Sequence, residues 1–325
     1  MAKKALDRLR HSWVARQWDK LLFLAVLIAF FLLVPGTKLY TKVVSSQAQF
    51  MKMLPFATPT PAPYPVNTTG AYPGYEVTAS GVVVYDVESS VVLYGRNTDV
   101  SLSPASTTKI MTALMALEHY DLDDVVTVAT VANSGQVMHL VPGEQLTVEN
   151  LLYGALIQSG NDAAWALAEH MKGGVPVFVE AMNEKAKALH LINTHFTNPV
   201  GFDDPNHKMS ATDLTRLAAF ALTNKTIAKM VAIPEITISD ITHTRFHRLI
   251  NINTLLGKIP GVAGIKTGWT EDAGENLVTL VERNGHRVII VVLKSADRFA
   301  DTETLINWIF GNYEWKDFVT PRTQD

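Results

Sequence analysis

Ser106 and Lys109 stand three residues apart at the start of an apolar stretch, in SPASTTKIMTAL. Residues three apart share one face of a helix, so the serine hydroxyl and the lysine amine come within hydrogen-bonding reach. Such a pair can act as a nucleophile and its general base, provided that the lysine is neutral. Burial and a nearby second cation both lower the pKa of a lysine. The pair therefore predicts an acyl-transfer site with a second cation close by.

This spacing alone is weak evidence, because serine and lysine are common and Ser106 also suits the N-cap of a helix. Two further clusters follow along the chain: Ser159 and Asn161 in QSGND, and Lys266, Thr267 and Gly268 in GIKTGWTEDAGENL. Each also has an ordinary structural interpretation. Asn161 and Asp162 can cap the helix that follows, and Lys266 can be a solvated charge at a strand edge.

The three clusters, in this order, resemble the signature of the penicillin-recognising serine enzymes. The flanking segments are similar to those of the low-molecular-mass D-alanyl-D-alanine carboxypeptidases over residues 80–312: SPASTTKIMTAL, GALIQSGNDAAWALAE, FVEAMNEKAKAL, TNPVGFDDPNHKMSATDL and PGVAGIKTGWTEDAGENLV. The resemblance implies a β-lactamase/penicillin-binding-protein-like fold. It also implies removal of the terminal D-alanine from peptidoglycan stem peptides, inhibition by β-lactam antibiotics and no cofactor.

The resemblance implies a catalytic role for each residue of the first two clusters. Ser106 would attack the carbonyl of the penultimate D-alanine, and Lys109 would take the serine proton. Ser159 would relay a proton towards the leaving amine. Asn161 would bind the substrate amide and help to hold Lys109. The backbone N–H groups of Ser106 and Trp269 would form the oxyanion hole.

A second set of residues is implied to bind the substrate. Lys266 would be the second cation, lowering the pKa of the base and attracting the substrate carboxylate. Thr267 would bind that carboxylate through its hydroxyl, and Gly268 would let the substrate backbone approach an edge strand. Trp269 is a large side chain beside the site that would narrow the choice of substrate. Arg298, in SADRF, is expected near the carboxylate, with a surface position as the alternative.

Three rival functions share parts of this pattern. One large class of β-lactamases deacylates through a glutamate and an asparagine spaced E-x-x-x-N, and no such spacing occurs between Ser159 and Lys266. Slow deacylation is therefore expected, so that penicillin inhibits the enzyme. An endopeptidase that cuts crosslinks would use the same catalytic set. A non-catalytic wall-binding protein is disfavoured, because every expected polar group is present.

The elements that must carry these residues are strands at both ends of the domain and helices in the middle. SGVVVYD and VVLYGRN predict two strands, and GENLVTLVERNGHRVIIVVLK predicts a hairpin that turns at Asn284–Gly285. Between them the apolar residues recur at helical spacing, with Thr147 as the cap of one helix. These elements predict an α/β content of the α+β kind, with one antiparallel sheet assembled from both termini.

The N-terminal segment is basic and then apolar. Residues 1–20 hold six Lys or Arg and two Asp, and residues 21–34 carry no polar side chain. This pattern favours a retained anchor that starts inside the cell, over a cleaved export signal or a buried helix. Six prolines between 55 and 73 predict an extended linker. The predicted organisation is a cytoplasmic segment 1–20, a transmembrane signal-anchor 21–40, a linker 41–75, a catalytic domain 76–315 and a tail 316–325.

Composition removes several classes of function. The 325 residues carry a net charge of −3 with no basic stripe beyond the N-terminus, which argues against nucleic acid as a partner. The absence of cysteine excludes disulfides, thiolate zinc sites and cysteine nucleophiles. His207, His243 and His247 lie away from the three clusters and are expected to be loop or surface residues, so no metal site is predicted. The expected location is the cell membrane, with the catalytic domain outside the cytoplasm.

Overall fold

The computed structural model describes residues 17–18, 20–29, 62–74, 76–131 and 134–317. The chain divides into two compact units, Met1–Thr60 and Pro61–Asp325. In the first unit, residues 17–18 and 20–29 are helical. Within the described part of the chain, no helix is both long enough and apolar enough to cross a membrane. Most of the predicted anchor and linker, residues 30–61, lies outside the described residues, so the anchor stays a prediction.

The second unit is built on a five-stranded antiparallel sheet. Its strands, in spatial order, are β3 (Val91–Arg96), β2 (Gly81–Asp86), β10 (His286–Ser295), β9 (Gly274–Arg283) and β8 (Val262–Thr270). The first two strands come from the start of the domain and the last three from its end, which confirms the predicted assembly. Asn284 and Gly285 join β9 to β10 with φ values of 54° and 80°, the left-handed conformation that a tight hairpin turn requires.

Seven helices of this unit lie among the described residues: α1 (Lys109–His119), α2 (Val148–Leu156), α3 (Asn161–Glu169), α4 (Gly174–Ala188), α5 (Ala211–Ala221), α6 (Lys225–Val231) and α7 (Arg298–Asn312). Short polar side chains begin several of them. The Thr147 side chain accepts a hydrogen bond from the backbone of Asn150, as predicted for the start of α2. Ser210 does the same for α5, and Asp297 for α7.

Helices cover both faces of the sheet, which explains why its central strands are almost continuously apolar. Along β2 and β10 the side chains alternate between two cores. Val83, Ile289 and Val291 face the larger core, which contains α1 to α6. Val82 and Ile290 face the smaller core, which contains α7. The sheet is therefore the middle of three layers.

Two smaller strand pairs flank these layers: β4 (Val125–Thr127) with β5 (Gln145–Thr147), and β6 (Glu235–Ser239) with β7 (Phe246–Ile250). A third pair corrects the predicted boundary of the linker. Strand β1 (Tyr64–Asn67) pairs antiparallel with β11 (Tyr313–Lys316), and Trp308 Nε1 donates to the Ala71 carbonyl at 2.9 Å. The proline-rich composition predicts an extended linker up to residue 75, whereas residues 64–71 belong to the folded domain.

Candidate active site

The candidate nucleophile lies in a tight turn ahead of a buried helix. Ser106 is part of a 3-10 turn, Ala105–Thr108, and α1 begins at Lys109. No side chain caps either element, so the interpretation of Ser106 as an N-cap is wrong. The preceding residue, Ala105, adopts a φ of 49°, a conformation rarely used outside glycine. The hydroxyl is thus held by backbone geometry, and it remains partly exposed.

Two glycines, Gly201 and Gly268, allow their own segments to pack closely against the backbone of this turn. A Cβ on Gly201, whose φ is 90°, would lie 1.8 Å from the Ala105 carbonyl oxygen. A Cβ on Gly268 would lie 2.9 Å from the Pro104 carbonyl oxygen and 3.1 Å from Ser106 N. Because Gly268 has no side chain, the turn that carries Ser106 can pack directly against β8. This role is additional to the expected approach of the substrate backbone. Gly201 was not among the predicted site residues, because its need appears only once two distant segments meet.

Lys109 is completely buried behind the serine. Its Nζ donates to Ser106 Oγ at 2.7 Å, to Asn161 Oδ1 at 2.7 Å and to the Val200 carbonyl at 2.9 Å. Burial lowers the pKa of Lys109 well below its usual range, and the charge of Lys266 lowers it further. A neutral Lys109 would have a lone pair at hydrogen-bonding distance from the serine hydroxyl. That arrangement suits a general base.

The second cation is buried as well. Lys266 is 1% exposed on β8, and its Nζ donates to the Thr267 carbonyl at 3.0 Å. Burial lowers its pKa to about 7, with a further contribution from the positive charge of Arg298. The solvated strand-edge interpretation of Lys266 is therefore wrong. A buried cation without a paired carboxylate is costly, and an anionic ligand would relieve this cost.

The second cluster sits between α2 and α3. Ser159 adopts a φ of 63°, and its buried hydroxyl has no hydrogen-bond partner among the described residues. Asn161 does not cap α3: its Oδ1 accepts from Lys109, while its Nδ2 donates to the Ser134 carbonyl at 2.6 Å. Asn161 therefore contacts the candidate base, and Ser159 lines the same cavity as Ser106. An unpaired buried hydroxyl is costly and marks a place where a ligand can bind.

Hydroxyl and guanidinium groups gather near Lys266. Thr267 Oγ1 is buried and unpaired among the described residues. Arg298, the first residue of α7, donates from Nη1 to the Gly268 carbonyl at 2.8 Å, which places its guanidinium beside β8. Burial lowers the pKa of Arg298 from its ordinary value. Trp269, on the same strand, is 62% exposed. Together these groups form an anion-binding corner with an aromatic rim.

All these residues surround one cavity of about 580 Å³. Its walls include seven of the predicted site residues: Ser106, Ser159, Asn161, Thr267, Gly268, Trp269 and Arg298. Lys109 and Lys266 lie behind the walls. The cavity is also lined by the loop Ser134–Gln136 and by residues 200–203, none of which was predicted as a site residue, although 200–203 lie in the segment TNPVGFDDPNHKMSATDL that resembles the family. No cluster of potential metal ligands occurs within the residues that the structure describes.

The histidines require a correction. His207 is 1% exposed: its Nδ1 accepts from Thr197 N at 3.0 Å, so Nε2 carries the proton and donates to Thr108 Oγ1 at 2.8 Å. Burial lowers the pKa of His207 to about 4, so it is neutral at physiological pH. His247 is largely buried against Glu144, with 2.7 Å between Nε2 and Oε1. His207 lies in a loop, as expected, but it is buried, whereas His243 is exposed, as expected. His247 lies in β7 with its side chain largely buried, so the loop-or-surface interpretation is wrong for that residue.

A partly exposed serine beside a buried lysine, at the edge of a sheet layered between helices, defines the penicillin-recognising class of serine acyl-transfer enzymes. The chain matches the model of the peptidase S11 family, described as D-alanyl-D-alanine carboxypeptidase, over residues 66–297. The chain therefore belongs to this family.

Individual relatives support this family assignment. The chain is 37% identical over 246 residues to the D-alanyl-D-alanine carboxypeptidase DacF of Bacillus subtilis, covering 73% of this chain and 63% of that protein. It is 37% identical to DacB2 of Mycobacterium tuberculosis over 70% of this chain and 79% of the relative. Among solved structures, the Streptomyces K15 DD-transpeptidase matches with a TM-score of 0.68 at 33% identity, covering 72% of this chain and 98% of that one. These likenesses confirm the β-lactamase/penicillin-binding-protein-like fold.

Proposed function

We propose that this protein is a serine D-alanyl-D-alanine carboxypeptidase that removes the terminal D-alanine from peptidoglycan stem peptides. The observation that carries the proposal is the 2.7 Å contact between Lys109 Nζ and Ser106 Oγ, behind which Lys266 is also buried. Family membership and relatives named as carboxypeptidases support the same reaction.

The first half of the reaction forms an acyl-enzyme. Lys109 takes the hydroxyl proton while Ser106 Oγ bonds to the carbonyl carbon of the penultimate D-alanine. The backbone N–H groups of Ser106 and Trp269 stabilise the oxyanion that develops. The peptide C–N bond then breaks, and the proton passes through Ser159 to the leaving amine. The unpaired Ser159 hydroxyl supports this relay, because it is free to accept one proton and donate another.

The second half of the site selects the substrate. The terminal carboxylate of the peptide lies against Lys266, Thr267 and Arg298, which provide two positive charges and an unpaired hydroxyl. Asn161 holds the substrate amide while it also accepts from Lys109. Water then attacks the ester, with Lys109 returning as the base, and the shortened peptide leaves.

The fate of the acyl group separates this proposal from its nearest alternatives. A Pseudomonas aeruginosa relative that is 34% identical is named D-alanyl-D-alanine endopeptidase, and the Streptomyces K15 structures are named DD-transpeptidase. All three reactions use one acyl-enzyme and differ in the amine that leaves or in the acceptor, which is water for the two hydrolyses and an amine for the transpeptidase. Penicillin-type inhibitors acylate the same serine, and the missing E-x-x-x-N spacing supports a long-lived adduct.

We further propose that the domain works outside the cytoplasmic membrane, tethered through the apolar residues 21–34. The six basic residues in 1–20 support an orientation with the N-terminus inside. Peptidoglycan stem peptides lie outside this membrane. Fractionation of cells that express the tagged full chain, followed by protease protection, tests the location and the orientation.

The function is tested with the full chain in detergent and a peptide ending in D-Ala-D-Ala, while free D-alanine is assayed. We expect release by the parent and by Ser101→Ala, an exposed serine outside the cavity, and none by Ser106→Ala. Release by Ser106→Ala at the parent's rate would contradict the proposal. No release from any variant, with fluorescent penicillin still attached to Ser106, would favour the endopeptidase.

A further inference from the structure

Asp162 is a fully buried carboxylate next to the Asn161 side chain of the site. Its oxygens accept from the backbone N–H groups of Met138 at 3.0 Å and Leu140 at 3.0 Å, and from its neighbour Ala163 at 2.9 Å. Two of these donors belong to one loop, 134–140. Hydrogen bonds to a buried carboxylate are charge-assisted and strong. Asp162 therefore fixes the far end of this loop to the start of α3.

The near end of the same loop contacts Asn161. Asn161 Nδ2 donates to the Ser134 carbonyl at 2.6 Å, and Asn161 N donates to the Gln136 carbonyl at 2.7 Å. Between them, Gly135 has a φ of 74°, and a Cβ there would lie 2.8 Å from Asn161 Nδ2. The loop thus packs directly against the side chain of Asn161, whose Oδ1 accepts from Lys109.

We propose that Asp162 is a positioning residue for acylation: it holds loop 134–140 so that Ser134 and Gly135 keep the Asn161 side chain directed at Lys109. Asp162 does not line the cavity, while Ser134, Gly135 and Gln136 do. It therefore acts through the loop and through its charge. This inference rests on the proposed function, since acylation of Ser106 is the step that it supports.

The charge of Asp162 should affect the pH dependence of acylation, which can be measured. The charged groups that act on Lys109 are Lys266, which lowers its pKa, and Asp162, which raises it. Acylation requires neutral Lys109, so its rate rises with pH through the pKa of that residue. Neutralising Asp162 removes the opposing effect, lowers the pKa of Lys109 further and moves the acid limb of the profile to lower pH.

The experiment measures the second-order rate of acylation of the full chain by a fluorescent penicillin across pH. Asp162→Asn is compared with the parent and with Glu144→Gln, which neutralises another buried carboxylate that accepts from Val141 N, just after loop 134–140. We expect Asp162→Asn to acylate about tenfold more slowly at its optimum, because one loop N–H then faces an amide donor. Its acid limb moves to lower pH, while Glu144→Gln keeps the limb of the parent.

An Asp162→Asn variant with the parent's rate, or with an unmoved acid limb, overturns the inference. Thermal melting monitors folding, and if Asp162→Asn does not fold, Gly135→Ala decides the question from the loop side. That variant keeps the carboxylate and displaces Asn161, so slow acylation supports the inference and the parent's rate overturns it. Failure of the parent itself to be acylated would instead remove the proposed function.

Discussion

Gly201 lies so close to Ala105 that a side chain at position 201 would overlap the Ala105 carbonyl, since an added Cβ would be 1.8 Å from that oxygen. The contact fixes the peptide that leads into Ser106. Gly201→Ala must therefore displace the nucleophile turn or the 200–203 segment. A misplacement of about 1 Å costs on the order of a hundredfold in rate, and we expect such a fall in acylation by fluorescent penicillin.

The matched control for this substitution is Gly257→Ala. Gly257 has a φ of 78°, but no atom lies within 4 Å of an added Cβ. This variant therefore shows only the left-handed strain, about 1–2 kcal/mol of stability, and should acylate like the parent. Equal effects of the two substitutions on acylation would show that the close contact does not matter.

The pH dependence of the reaction should show the titration of Lys266. The pKa of Lys266 is lowered to about 7, first by burial and then by Arg298. Binding of a carboxylate requires the charged form, so kcat/KM for a D-Ala-D-Ala peptide should fall as pH rises through this value. Arg298→Gln removes a charge that lowers the pKa of Lys266, so the alkaline limb should move to higher pH.

The control for this measurement is Arg248→Gln, which removes an exposed guanidinium paired with Glu235. Its alkaline limb should coincide with that of the parent. An Arg298→Gln limb that stays in place, or moves to lower pH, would show that Arg298 does not act on Lys266 in the free enzyme.

Penicillin should form a lasting adduct. Between Ser159 and Lys266 the chain lacks the E-x-x-x-N spacing on which one class of β-lactamases depends for deacylation. Intact-mass spectrometry after a short exposure should therefore show one penicillin per chain, lost slowly after the free drug is removed. Many turnovers per minute, seen as loss of penicillin absorbance at substoichiometric enzyme, would identify a β-lactamase instead.

The β1–β11 pair should contribute to the stability of the domain. A chain that begins at residue 76 lacks the strand Tyr64–Asn67 and the bond from Trp308 Nε1 to the Ala71 carbonyl. We expect its free energy of unfolding to be about 2 kcal/mol lower than that of a chain that begins at residue 62. For a domain of this size that corresponds to a Tm about 5 °C lower by calorimetry. Equal Tm values for the two chains would show that residues 62–75 are a linker after all.

Local signals in the sequence predicted much of this fold. The Asn284–Gly285 turn, the Thr147 cap and the apolar strands at both ends act over a few residues, and the structure contains each of them. Strand β1 was not predicted, because its prolines suggest a linker and its pairing partner lies some 250 residues away. Pairing over that distance leaves no local pattern in the sequence.

In the candidate site, too, some features were predictable from local sequence patterns and others were not. The three clusters predicted which residues meet, and the structure brings Lys109 into direct contact with Ser106 and with Asn161. Gly201 and the loop around Ser134 were not predicted, because a close approach between distant segments is visible only after folding. The burial of His207 was missed for a similar reason: its partners, Thr108 and Thr197, come from separate parts of the chain.

The burial of Lys109 and Lys266 suits their proposed roles in the reaction but lowers the stability of the folded chain. Both have a pKa below the ordinary 10.5, so the unfolded chain binds protons more tightly than the native one. For Lys266 the penalty is complete below about pH 7 and is relieved as pH rises towards 10.5. Lys266→Met should therefore melt at a higher temperature than the parent at neutral pH, with the difference shrinking in alkali, while losing activity. An anion bound beside Lys266 would offset this cost of burial, so added carboxylate ligand should raise the melting temperature of the parent more than that of Lys266→Met.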